Sequence, residues 1–224
     1  MHIQYCSDLH LEIPQNAVYV SRRPLEVTGD VLVLAGDIHY LEKKSFSDPF
    51  FDWASANYEQ VFWMPGNHEF YGEADLNRIE QPLEVAVRPN VRLLNNRSVV
   101  HRGINFIFTT LWSRISMKNA AYVMRNMADF HLMRYNGKRI GATEYNQFFQ
   151  QAYKFLETAV DRNESDKMVI VTHHLPTAAC NAPEFDGSAL NEAFCVELYD
   201  FIFASRAAYW LFGHSHRNVG PVRV

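Results

Sequence analysis

Residues Asp30–Tyr40 read DVLVLAGDIHY. Val31 to Ala35 form an unbroken apolar run that stops at Gly36-Asp37. A run this short and this apolar fits a strand covered on both faces, because a half-exposed strand would alternate. Strands of that kind belong to layered α/β folds, which gather ligand-binding groups at strand carboxyl ends. Asp37 stands at such an end.

The pattern recurs along the chain. HIQYC (2–6) runs into Ser7-Asp8, VFWMPG (61–66) into Asn67-His68, and INFIFTT (104–110) precedes Leu111-Trp112. MVIVT (168–172) runs into His173-His174, and YWLFG (209–213) into His214. Between these lie helical patterns over 45–58, 73–87, 142–162 and 188–205. Pro82 reads as a kink or break in the second, and Thr143 as the N-cap of the third. Residues 113–142 are polar, with Met and Arg, and read as a loop with a short helix over a site. No repeat, low-complexity linker or composition break divides the chain, so one domain spanning 1–224 is expected.

Hydrophobic residues make up 48% and aromatics 14%, enough for a core and too apolar for a disordered chain. The formal net charge is −4, and no run of five like charges supplies a polybasic arm. Cys6, Cys180 and Cys195 are odd in number and lack metal-finger spacing, which suits a reducing compartment. The N-terminal residues lack the layout of a signal peptide, and no apolar stretch approaches a membrane span. A soluble, cytoplasmic protein is the expectation.

The strand ends carry a coherent chemistry. Five of them present Asp8 and His10, Asp37, Asn67 and His68, His173, then His214 and His216. Oxygen and nitrogen donors suit Mn, Fe, Zn, Ni or Co, and the lack of thiolate disfavours a structural zinc site. A spacing of two along an extended segment would put Asp8 and His10 on one face, and likewise His214 and His216. Taken singly, Asp8 and Asp37 suit turn caps, Asn67 suits a turn after Pro65-Gly66, and His173-His174 suits an ordinary strand end. Jointly, so many donors at successive strand ends are hard to assign to chance.

In order, SDLHLE (7–12), LAGDIHY (34–40), PGNHEFYG (65–72), VTHHLP (171–176) and FGHSH (212–216) resemble the calcineurin-like metallophosphoesterase superfamily. TLW (110–112) and MADFHLMRY (127–135) are most similar to its small bacterial members. The resemblance implies a four-layer α/β/β/α sandwich with two mixed sheets and metals at one edge. It implies a first metal on Asp8, His10 and His216, a second on Asn67, His173 and His214, and Asp37 bridging both. Two divalent or trivalent ions, with Mn one choice, would then hydrolyse a small phosphomonoester or phosphodiester through a bridging hydroxide. His68 is the implied general acid, and Glu69 a brace for the loop or a ligand. The alternative is a catalytically weak or inactive scaffold that binds a partner. The full ligand set together with His68 favours the enzyme.

Departures from the family pattern bear on the substrate. No Arg follows Gly36-Asp37, which disfavours a protein phosphatase. His39, Asn67 and His68 are the candidate substrate contacts, His39 suiting a surface loop equally well. Arg114, Arg125 and Arg134 could clamp phosphate or simply face solvent. Trp112 and Asp129 match the small-member pattern and could hold a lid. The net charge disfavours a nucleic-acid polymer as substrate. After His216 come only Arg217–Val224, with Gly220-Pro221 interrupting any strand. The fold is therefore expected to be shortened there, with the strand before His214 near a sheet edge. A second copy in a homo-oligomer, or the tail folding back, would cover that edge.

Overall fold

The computed structural model describes residues 1–79 and 81–224. Its first sheet contains β1 (Ile3–Cys6), β2 (Val31–Ala35), β3 (Gln60–Met64), β4 (Leu83–Arg88) and β5 (Val91–Asn95), ordered β1-β2-β3-β5-β4. Only β4 runs antiparallel. The second sheet contains β6 (Arg97–His101), β7 (Ile104–Thr109), β10 (Lys167–Thr172) and β11 (Tyr209–Leu211), ordered β11-β10-β7-β6. There β6 is the antiparallel member. A hairpin, β8 (Arg134–Tyr135) and β9 (Lys138–Arg139), stands apart.

Side chains alternate along a strand, and here both alternating sets are apolar. Val31, Val33, Ala35, Phe62, Met64 and Leu94 of the first sheet meet Phe106, Phe108, Val169 and Val171 of the second in an apolar inter-sheet core. Leu32, Leu34, Val61 and Trp63 face outward and join Phe50, Phe51 and Ala54 of helix α2 (Pro49–Asn57). Ile107 and Ile170 do the same toward α5 (Ala142–Asp161), which turns Tyr145, Phe148, Phe149, Ala152 and Leu156 inward at helical spacing. The layers are therefore α/β/β/α. Helix α1 (Pro14–Arg22) lies after β1 and buries none of its residues.

Several elements differ from the expectation. Over 73–87 there is one 3-10 turn, Leu76–Ile79, and then β4; Glu80 lies outside the described residues. Pro82 ends any helix, and LEVAVR alternates with period two, as suits a half-exposed edge strand. The 188–205 stretch is split into a 3-10 turn (Ala189–Ala193) and α6 (Tyr199–Ser205). Between them Phe194 and Val196 hydrogen-bond the backbone of Leu175, which a continuous helix could not do. Thr143 is not the N-cap of α5. Gly141 takes that place, with its N–H donated to Glu144 Oε2 at 2.8 Å. Residues 113–142 hold α3 (Ala120–Asn126), α4 (Asp129–Leu132) and the hairpin.

The parallel strands of both sheets deliver their carboxyl ends to one rim. β1 and β11 are the edge strands on the same flank, and residues 217–224 carry no regular secondary structure. Among the described residues no helix is long and apolar enough to cross a membrane.

Candidate metal centre

The donor residues do not converge by extended spacing. Asp8, His10, Asp37, His214 and His216 all have left-handed backbones, with φ of 57°, 47°, 56°, 72° and 51°. Each such residue costs about 1 kcal/mol, so the surroundings must impose the geometry. Part of that constraint is a ladder continued past the strands: Asp8, His10 and Leu11 donate backbone N–H to Gly36, Asp37 and Ile38 at 3.0, 3.0 and 2.8 Å. Close approach supplies the rest. A Cβ on Gly66 would lie 2.2 Å from Asp37 Oδ1, and one on Gly36 would lie 2.3 Å from His173 Nδ1.

Among the described residues three donor clusters result; one joins His10, Glu12 and His68, and the other two share Asp37. Asp8, His10, Asp37 and His216 place ligand atoms within 4.8 Å of one another, as do Asp37, His173 and His214. His10 Nε2 lies 3.3 Å from His216 Nε2, and His216 Nε2 lies 3.4 Å from Asp8 Oδ1. His173 Nε2 lies 3.2 Å from Asp37 Oδ2, yet neither atom makes a hydrogen bond. Asn67 Oδ1 is likewise buried without a partner. An unsatisfied buried polar atom costs roughly 1–3 kcal/mol, and these three belong to candidate ligands. In three of the histidines the opposite nitrogen is occupied. His173 Nδ1 is 2.8 Å from the Ala35 carbonyl, His10 Nδ1 is 2.9 Å from Glu12 Oε1, and His214 Nε2 is 3.4 Å from the Ala193 carbonyl. Each of these three rings thereby keeps one nitrogen for a cation. These residues fit divalent metal ions.

The electrostatics agree. Burial alone would depress His173, but Asp37 beside it outweighs that and holds its pKa up at about 10. Burial would raise Asp37, yet His173 and the neighbouring histidines hold it well below the usual carboxylate range. Both shifts mark the space between Asp37 and His173 as one that favours positive charge, which a cation would supply. His174 is buried between the Thr110 carbonyl and Tyr145 Oη. Burial and then His173 press it down to about 3, so it stays neutral and structural.

Around the clusters, Glu69 accepts N–H groups from Asp37, Ile38, Gly66 and the Trp63 indole, at 2.8–2.9 Å, and so ties the Asp37 loop to the Asn67 loop. Its burial and the charge of Asp37 push it up to about 7. His68 sits half-exposed at the rim, its ring tilted by 31° against Tyr71 with centroids 4.1 Å apart, its Nε2 4.0 Å from Asp37 Oδ2. His39 points elsewhere: its Nδ1 accepts from Tyr40 N at 2.8 Å and its Nε2 lies 3.8 Å from Asp48. Arg114, Arg125 and Arg134 are exposed. Trp112 is buried against Tyr145, Phe148 and His174.

The sequence reading missed Glu12. Its Oε1 lies between His10 Nδ1 and His68 Nδ1, at 2.9 and 3.3 Å. Burial raises its pKa, but those two histidines outweigh that and hold it at about 2. The signal was present: Glu12 continues the Asp8, His10 spacing within SDLHLE. Tyr71, which donates to Asp129, was missed as well.

Comparisons with known proteins follow the same line. The calcineurin-like phosphoesterase family matches residues 1–218. An uncharacterized protein, L509, of Acanthamoeba polyphaga mimivirus is 29% identical over 240 residues, covering 96% of this chain and 84% of that protein. This relative is viral, and it lends nothing to the bacterial grouping expected from the middle segment. In structure, the phosphopantetheinyl hydrolase PptH from Mycobacterium tuberculosis superposes with a TM-score of 0.70 at 15% identity, over 96% of this chain and 83% of that one. At that identity the likeness concerns the fold. With the motif blocks meeting at one rim of this sandwich and the family match running almost end to end, the chain belongs to the calcineurin-like phosphoesterases, a family of metal-dependent hydrolases.

Proposed function

We propose that the chain, as one domain over 1–224, hydrolyses a small phosphomonoester or phosphodiester with two metal ions. The observation that carries this reading is Asp37, fully buried, shared by two donor clusters, with one carboxylate oxygen unsatisfied. In this reading Asp8, His10, Asp37 and His216 hold one ion, and Asp37, Asn67, His173 and His214 the other. The donor set fits Mn, Fe, Zn, Ni or Co. When bound, the ions supply positive charge against the ester oxygens and acidify water.

The chain's own residues do the rest. Ala35, Glu12 and Ala193 fix which nitrogen of His173, His10 and His214 faces the ions. Glu12 holds His68 by Nδ1 and leaves Nε2 to deliver a proton to the leaving oxygen. Asn67 and His68 flank the ester, and His39 would join them only by turning away from Asp48. We place the protein in the cytoplasm.

The test is reconstitution of chelator-stripped protein with Mn2+, followed by assay with p-nitrophenyl phosphate and bis-p-nitrophenyl phosphate. Two ions per chain and hydrolysis of at least one ester are expected. Less than one ion per chain, or metal-loaded protein inert to both esters, would overturn the reading.

A further inference from the structure

Asn67 is the one carboxamide in the proposed ligand set, and a carboxamide can present either end to a cation. Only its oxygen can bind one. The structure fixes the choice from behind. Asn67 Nδ2 donates to Asp129 Oδ1 at 3.0 Å and to Tyr71 Oη at 3.1 Å, so both amide hydrogens are used. Tyr71 Oη in turn donates to the same Asp129 oxygen. A flipped amide would set its carbonyl oxygen against a carboxylate oxygen. In the observed orientation Asn67 Oδ1 is buried with no partner, and Asn67 and Asp129 are 2% and 0% exposed. Asp129 comes from α4, in the segment between the sheets' motif blocks, and it is a member of none of the donor clusters.

We infer that Asp129 and Tyr71 are positioning residues that hold the Asn67 carboxamide oxygen-forward, coupling the α3–α4 segment to occupancy of the metal centre. This rests on the metal-binding reading above. An apolar Asp129 would release the amide to rotate, and metal binding would then have to select one of two orientations. Substitutions behind a ligand of this kind weaken metal affinity by about 10–100-fold.

The experiment titrates Mn2+ into stripped wild type, Asp129→Leu, Asp129→Asn and Tyr71→Phe by calorimetry. Hydrogen exchange of residues 120–133 is followed with and without Mn2+. Asp129→Leu should lose about 10–100-fold in affinity for the ion that Asn67 would hold. Asp129→Asn keeps a carbonyl oxygen facing Asn67 and should stay within about threefold of wild type, which separates orientation from charge. Tyr71→Phe keeps the ring against His68 and should fall between them. Mn2+ should slow exchange over 120–133 in wild type but not in Asp129→Leu. Wild-type affinity in Asp129→Leu, or an equal loss in Asp129→Asn, would overturn the inference. If Asp129→Leu fails to melt cooperatively, Tyr71→Phe decides, and affinity within twofold of wild type sinks the idea. Wild type that takes up no Mn2+ would overturn the metal reading itself, a different result from tight binding in every variant.

Discussion

His68 is the residue at which metal binding and turnover should come apart. It is half-exposed and, although grouped with His10 and Glu12, it belongs to neither cluster that contains Asp37, so His68→Ala should keep both ions. A lost general acid costs roughly 10²–10⁴-fold in rate. The loss should be smallest for p-nitrophenyl esters and largest for alkyl esters, whose leaving oxygen needs the proton. An equal loss on both would mark His68 as a binding residue instead. Gly66 gives the complementary case. A methyl there would lie 2.2 Å from Asp37 Oδ1 and 2.7 Å from the His173 ring, so Gly66→Ala should abolish metal uptake, as read by elemental analysis. Residue types were legible because Asp, Asn and His at successive strand ends have few other joint explanations. Their convergence was not. Spacing suggested one face of an extended segment, whereas the left-handed backbones at Asp8, His10, His214 and His216 do the aiming. Glu12 escaped because a carboxylate next to a motif looks like solvated surface until a fold sets two imidazoles against it.

At the scale of elements, the strands apolar on both faces could be read directly. Of the half-exposed ones, β1 and β11 were read as strands but β4 was not. In β4 the apolar residues Leu83, Val85 and Val87 alternate with Glu84, Ala86 and Arg88, and neighbouring helical spacing in 73–79 obscured the change of period. In 188–205 apolar periodicity continued through residues whose backbone pairs with Leu175, a long-range bond invisible to local pattern. Helix α2 offers a clean test of the local rules that did hold. Asp48 accepts the Phe50 N–H at 2.8 Å as the N-cap, ahead of Pro49. Asp48→Ala should cost about 1 kcal/mol in urea denaturation. Metal content should not change, because the cap lies outside both clusters; loss of metal would show that the His39 contact with Asp48 reaches the centre.

For the whole molecule, the centre joins the two sheets at their rim: Asp37 follows β2 of the first and His173 follows β10 of the second. Bound metal should therefore stabilise the entire fold. At a free concentration one hundred times the dissociation constant, one site adds about 2.7 kcal/mol. Chelator should lower the melting temperature of the loaded protein, and an unchanged melt would place the ions outside the folded core. The thiols report on the same cooperativity. Burial, and next Asp8, pushes Cys6 up to about 12; burial, then Glu197, pushes Cys180 to about 11 and Cys195 to about 12. Alkylation near pH 8 should be slow in native protein and rise together for all three once denaturant opens the chain. Rapid labelling of one of them alone would reveal local opening.

The bond from His214 N to Asp8 closes a separation of 206 residues. A ribosome making about 5–20 residues per second leaves Asp8 waiting some 10–40 s for its partner. During that interval the nascent chain lacks His214 and His216. If the two-ion reading holds, cation capture should be a late event in the life of each molecule, and only a polypeptide translated through His216 should close around both ions.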